Sequence, residues 1–265
     1  MKVNPWSGKL ALITGASSGI GAATARLLAQ RGLQLLLTAR RVDRLQSLAD
    51  EIRADGGEAE VLVADLEQPA ERERLTAEVM QAFGCPDVLV NNAGMGWYGY
   101  YADMPPELAH RLLELNVTAV MDLTRQFLPA MRQRRSGAII NISSIAGSIP
   151  SQGIAMYAGT KAFLNAFTTA LHREMRRSGV TISVLQPGPV VTEFFDQAAS
   201  QKNGRRVPAE RLAIPAERVA GAVWSLLRRP RRQAFVPWFT RLTPWISLLF
   251  DGVMDWVGPL LLRRN

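Results

Sequence analysis

Leu10-Ala-Leu-Ile-Thr14 runs directly into Gly15-Ala-Ser-Ser-Gly19-Ile-Gly21, and that into Ala22-Ala-Thr-Ala-Arg-Leu-Leu-Ala29. The first five residues form a short apolar run of the kind that fills a strand buried on both faces. The last eight carry a helical pattern. Between them, Gly15 permits a tight turn and a close approach of backbone to a ligand, while Gly19 and Gly21 let a helix start against the strand. The free N–H groups of that helix start then point outward, toward whatever anion lies there. Strand, glycine turn and helix in this order form the setting in which a dinucleotide pyrophosphate is bound. The spacing is G-x-x-x-G-x-G rather than G-x-G-x-x-G, and alone it also suits an ordinary glycine turn. The rest of the chain decides between the two.

Working outward, apolar runs recur at 33–38, 59–64, 87–91, 138–143, 180–186 and 233–236, separated by helical stretches. With 10–14 they make seven strand candidates. The alternation predicts an α/β fold, a doubly wound and mostly parallel seven-stranded sheet with helices on both faces. A chain of 265 residues suits one such domain. We expect it over 1–235, followed by a hydrophobic extension over 236–265. The second strand ends in Ala39-Arg40-Arg41. In this architecture that end reaches the adenosine ribose, where an acid would select NAD. Guanidiniums suit a 2′-phosphate instead, so NADP(H) is the expected cofactor and NAD(H) the lesser option. The plain alternative is that the arginines open a solvated helix over 42–54, a reading that fits Arg41 better than Arg40.

Tyr157 and Lys161 stand four residues apart in Tyr-Ala-Gly-Thr-Lys. On a helix this spacing puts a phenol and an ammonium on one face. The phenol is ordinarily a poor acid, with a pKa of about 10, and a neighbouring cation stabilises its anion. Such a tyrosine can exchange protons with a carbonyl or an alcohol near neutral pH.

With Thr14-Gly-Ala-Ser-Ser-Gly-Ile-Gly21, Asp65-Leu66, Asn91-Asn-Ala-Gly94, Asn116, Ser144, Tyr-x-x-x-Lys and Pro187-Gly188 in order, the chain resembles the short-chain dehydrogenase/reductase family over roughly 8–230. Ser144 lies thirteen residues before Tyr157, the family's usual separation. The resemblance implies that Tyr157 is the general acid in reduction and the base in oxidation, that Ser144 binds the substrate oxygen, and that Lys161 lowers the tyrosine pKa. It further implies that Lys161 holds the nicotinamide ribose and that Asn116 anchors a relay water. Cofactor contacts are implied at Gly15, Ser17, Ser18, Gly19, Ile20, Gly21, Arg40, Asp65, Leu66, Asn92, Ala93, Gly94, Tyr157, Lys161, Pro187, Gly188, Val190 and Thr192. Ser143, the neighbour of Ser144, should point to the opposite side of its strand. Hydride passes directly between nicotinamide and substrate carbon in such enzymes, so no metal is expected. One cysteine, Cys85, and two histidines, His110 and His172, show no ligand-like spacing.

Composition narrows the partners. The net charge is +8, and 27 of the 31 basic residues are arginines. The charge suits anionic lipid or an acidic partner, while the basic runs have few aromatics among them and no nucleic-acid motif, so nucleic acid is not an expected partner. A lone cysteine fits a reducing compartment, and the first strand begins within ten residues, so a cytoplasmic protein is expected. The two long helices expected at 106–134 and 152–178 carry Leu112, Leu115, Phe163 and Phe167, which would suit a homodimer or homotetramer interface.

Three segments should close over the reaction centre: Met95-Gly-Trp97-Tyr98, residues 145–150, and a loop through about 189–213. Their bulky side chains predict a pocket for a lipophilic carbonyl compound or alcohol, with Ser144, Trp97, Met156, Tyr157 and Phe195 as substrate contacts. The polar stretch 198–207 reads as a lid. In the extension, Ser247, Asp251 and Asp255 mark a polar stripe opposite Trp245, Leu249, Val253, Trp256 and Leu260. That amphipathic segment suits either a peripheral membrane contact, on the inner face of the membrane, or packing on protein. The enzymatic expectation is carbonyl–alcohol interconversion on a lipophilic substrate. A 3-oxoacyl reductase is the alternative, and a non-catalytic NADPH-binding scaffold the reading from another class.

Overall fold

A computed structural model describes residues 4–206, 212–249 and 252. Seven strands form one parallel sheet: β1 (Leu10–Thr14), β2 (Gln34–Ala39), β3 (Glu58–Val63), β4 (Val88–Asn91), β5 (Gly137–Ile142), β6 (Val180–Pro187) and β7 (Gln233–Val236), in the order β3-β2-β1-β4-β5-β6-β7. Neighbours pair in parallel throughout. The order reverses between β1 and β4, and ligands of open α/β sheets bind in the crevice at such a reversal. The central strands are apolar because both faces are covered; every residue of β4 and β5 is buried.

One face packs against α1 (Gly19–Gln30), α2 (Val42–Ala54) and α8 (Ala216–Arg228), through Leu28, Leu45, Val219 and Val223 among others. The opposite face packs against α3 (Pro69–Ala82), α5 (Ala119–Gln133) and α6 (Ala155–Glu174), around Leu75, Leu123, Phe127 and Ile139. The helix expected at 106–134 is three pieces in succession: α4 (Pro106–Leu113), a π turn over Glu114–Thr118, and α5. π turns accommodate one extra residue in a helix and are frequent at functional sites. Asn116 lies inside this one.

Leu112 and Leu115, expected on an oligomer face, are buried within the chain instead, Leu112 completely. Their side of the helix covers the sheet and the Tyr157 region, while Leu113 and Met121 stay exposed. The loop expected through residue 213 contains a helix, α7 (Phe194–Ser200). Past β7 come a 3-10 turn, Trp238–Leu242, and α9 (Thr243–Leu249). The expectations for Asp251, Val253, Asp255, Trp256 and Leu260 lie outside the described residues. Among those described, no helix is long and apolar enough to cross a membrane.

Candidate active site

The cavity at the carboxyl ends of β1, β4, β5 and β6 has a volume of about 830 Å³ and is lined from Gly15 to Leu212. At one end of the cavity stands the glycine turn, with the backbone the spacing predicts. Gly15 and Gly19 hold φ of +64° and +54°. A side chain on Gly21 would begin 2.2 Å from the Gly15 carbonyl oxygen, so only glycine lets α1 start there. Thr14 ties the turn to the next strand: its Oγ1 accepts from the N–H groups of Asn92 and Ala93, each at 2.9 Å. Asn92 Nδ2 in turn donates to the carbonyls of Thr14 and Gly15 at 2.9 and 3.2 Å.

The two arginines at the end of β2 take different partners. Arg40 turns to carboxylates, with Nη1 2.8 Å from Glu67 and 3.9 Å from Asp65. Arg41 folds over the glycine turn, donating from Nε and Nη2 to Ser17 Oγ at 3.2 and 3.1 Å and from Nη2 to Ser18 Oγ at 2.6 Å. Arg41 therefore does not merely open a solvated helix. Both arginines line the cavity, but Arg41 sits on the loop that would cradle phosphate. Asp65 accepts from the Glu67 N–H at 3.1 Å, and the buried Arg72 donates to the Leu66 carbonyl at 2.8 Å, which fixes the Asp65-Leu66 segment.

The candidate reaction centre combines Ser144, Tyr157 and Lys161. Ser144 ends the β5 segment and its Oγ accepts from the Ala146 N–H at 3.1 Å. Tyr157 and Lys161 rise from the first turns of α6, as the four-residue spacing requires. The phenol hydrogen-bonds Ser144, which lowers its pKa, but burial dominates and pushes it up to about 12. Burial also pulls Lys161 down to about 8. The Lys161 ammonium lies 5.8 Å from the centre of the phenol ring and donates to the Ile142 carbonyl at 3.1 Å.

Ser143 also borders the cavity, but its Oγ donates to the Lys161 carbonyl at 3.0 Å, seating α6 against β5. Asn116 stands behind the wall. Its Oδ1 accepts from the Met95 N–H at 2.9 Å, and its Nδ2 donates to the Met95 carbonyl at 2.9 Å and to Thr160 Oγ1 at 3.1 Å. Gly94 is the close-approach point between these groups: a Cβ there would lie 3.1 Å from Asn116 Oδ1 and 3.5 Å from Lys161 Nζ.

Beyond the phenol, Tyr98, Ile149, Ile154, Phe194, Phe195 and Leu212 line the cavity, with Gln152, Gln197 and Gln201 adding polar groups. Phe195 lies where the sequence placed it, whereas Trp97 and Met156 do not reach the wall. Trp97 is 3% exposed, packs with Met104, Leu108 and Leu112, and donates from Nε1 to the Lys202 carbonyl at 3.2 Å. Met156 packs against the same cluster. Tyr98 and Phe194 take their places, with ring centroids 6.3 and 5.5 Å from Tyr157. Within 198–206 the stretch is tied down at more than one point: Ala198 is buried, and Arg205 N donates to the Tyr98 carbonyl at 2.8 Å.

A glycine-turn cradle at the switch point of a parallel sheet, with serine, tyrosine and lysine at its nicotinamide end, defines a nicotinamide-dependent oxidoreductase. A sequence profile described as short chain dehydrogenase matches residues 9–203. The chain belongs to the short-chain dehydrogenase/reductase family. It is 39% identical over 189 residues to a short chain dehydrogenase of Pseudocercospora fijiensis, covering 71% of this chain and 61% of that protein. It is 35% identical over 221 residues to the 3-oxoacyl-[acyl-carrier-protein] reductase of Escherichia coli, covering 82% and 89%. Among solved structures, a short-chain dehydrogenase from Sphingobium yanoikuyae in complex with NADPH superposes with a TM-score of 0.80 at 31% identity, over 97% of each chain.

Proposed function

We propose that the protein is an NADPH-preferring carbonyl reductase or alcohol dehydrogenase acting on a lipophilic substrate. The observation that carries this is the contact of Tyr157 with Ser144 in a cavity whose lining beyond them is mainly aromatic and aliphatic, with a few polar side chains. The residues present fit the cofactor. The glycine turn leaves the start of α1 open to a pyrophosphate, and Arg40 and Arg41 offer guanidiniums where a selective acid for NAD would stand. Ser17, Ser18, Arg41, Asp65, Asn92, Lys161 and Thr192 would hold it. The bound nicotinamide supplies the hydride.

The chain's own residues manage the oxygen and the proton. Ser144 donates to the carbonyl oxygen and Tyr157 delivers the proton as that oxygen gains charge. Lys161, charged below about pH 8, stabilises the resulting phenolate. Asn116 orders the segment around Met95 and supports the proton path. The same atoms run backward in alcohol oxidation.

The alternative, a 3-oxoacyl reductase, is supported by the 35% identity to the Escherichia coli enzyme and by the basic surface. A panel of hydrophobic ketones, aldehydes and 3-oxoacyl thioesters, assayed with NADPH and NADH, decides. Turnover confined to the thioesters overturns the leading reading, and silence despite NADPH binding favours the scaffold.

Two further readings concern partners. Exposed Leu113, Met121 and the stacked pair Phe163 and Phe167 suit a homo-oligomer through the outer faces of α4, α5 and α6. Trp238, Phe239, Leu242, Trp245, Leu248 and Leu249 are all exposed, and no carboxylate occurs between Glu217 and Leu249. That combination supports a peripheral contact with anionic lipid from a cytoplasmic position. Sedimentation with anionic and neutral vesicles tests it; equal retention of wild type and Trp245→Ser on both argues against it.

A further inference from the structure

Away from the reaction centre, a charge cluster at the edge of the cavity joins Arg41, which lines it, to a segment far away in sequence. Glu193, immediately before α7, accepts from Arg41 Nη1 at 2.7 Å and forms a second, short contact with Arg44. Arg41 spends its other contacts on Ser17 and Ser18 of the glycine turn. Thr192 braces the same place, its Cγ2 standing 2.7 Å from where a side chain on Gly19 would begin. One residue beyond Glu193, Phe194 packs on the Tyr157 ring, and Phe195 stacks on Tyr98 at 5.9 Å. A continuous line of contacts therefore runs from the adenosine end of the cavity to the catalytic phenol.

We propose that Glu193 is a cofactor-specificity residue: its carboxylate holds Arg41 in cofactor-free protein, the 2′-phosphate of NADPH competes for that guanidinium, and the exchange shifts residues 192–200. The inference rests on the reading of Arg41 as a 2′-phosphate ligand. A phosphate monoester carries between one and two negative charges near neutrality and offers three acceptor oxygens. It outcompetes a carboxylate for a forked donor and repels a carboxylate held on the same guanidinium. The ribose hydroxyl of NADH has no charge with which to do either. Arg41, Arg44 and Glu193 are 36%, 48% and 42% exposed, so each pair is solvated and exchangeable. Glu193 stays ionised at any working pH, because hydrogen bonds from Arg41 and then Arg44 hold it down at about 2. Arg44 keeps a grip on Glu193 after the exchange, so the segment moves without coming free.

The test titrates wild type, Glu193→Gln and Arg41→Ala with NADPH and NADH by calorimetry. It also follows hydrogen exchange of 190–200 in wild type with each cofactor. Glu193→Gln should bind NADPH about three- to fivefold more tightly, with NADH changed by less than about twofold. Wild-type exchange at 190–200 should respond more to NADPH than to NADH. Unchanged or weaker NADPH binding in Glu193→Gln, or parallel changes for both cofactors, overturns the proposal. If Arg41→Ala meanwhile loses NADPH selectively, only the competition is wrong. If Arg41→Ala weakens both cofactors equally, the 2′-phosphate reading falls and the proposal with it.

Discussion

Lys161 Nζ donates to the carbonyl of Ile142 at 3.1 Å, which keeps the ammonium beside the Tyr157 ring but not on its oxygen. Both side chains are shut off from solvent, at 5% and 8% exposure. The same burial drives the two groups in opposite directions: the lysine toward losing its proton and the tyrosine toward keeping it.

That opposition has a signature in stability. Lys161 titrates at about 8 in the folded protein against an ordinary value of 10.5. Between those values the unfolded chain binds more protons, so this group's contribution to stability rises with pH. Tyr157 acts in the other sense from about pH 10 to about pH 12, where the folded protein still holds the phenolic proton. Denaturant unfolding of cofactor-free wild type and Lys161→Met across pH 7–10 isolates the lysine. The stability of wild type relative to the variant should climb through that window. A flat or falling difference contradicts a buried, desolvated lysine.

Arg41→Ala should raise the NADPH dissociation constant about tenfold or more, with a smaller effect on NADH, since a charge-assisted contact is lost. Arg40→Ala should cost NADPH less, because Glu67 and Asp65 already neutralise that guanidinium. Fluorescence titration of both variants checks the ranking. A larger effect at Arg40 would restore the assignment that the sequence suggests.

Ser144→Ala should lower kcat by about a hundredfold while leaving NADPH affinity unchanged, as expected when one donor to the developing oxyanion is removed. Ser143→Ala touches no reacting atom. It should leave kcat within a small factor and cost about 1 kcal/mol of stability through the lost bond to the Lys161 carbonyl. Steady-state kinetics and denaturation on the pair separate the roles of two adjacent serines.

What could be read from the chain follows from how locally each feature is determined. The strands were legible because a parallel strand covered on both faces has to be an apolar run; 10–14 coincides with β1, and 138–143 lies one residue from β5. The glycine spacing and the Tyr157–Lys161 interval carry their own backbone mechanics, so the cradle and the helix face followed directly. Trp97 was misplaced because the direction of a loop side chain depends on how the loop folds. Here the Trp97 ring turns back over Gly99, where a Cβ would lie 2.5 Å from it. Arg40 and Arg41 differ by one residue at a strand end, and their parts are set by distant partners. Glu67 claims one, and Glu193, 152 residues away, claims the other. The burial of Tyr157 was not legible because it depends on long-range packing against Trp97, Met104, Leu108 and Leu112.

Tyr157 as the proton donor is the central assignment, and Tyr157→Phe tests it most directly. The variant should retain NADPH binding within about twofold by titration while kcat for the best ketone substrate falls by about a thousandfold or more. Retention of substantial turnover with intact cofactor binding would contradict the account and move the proton to another group.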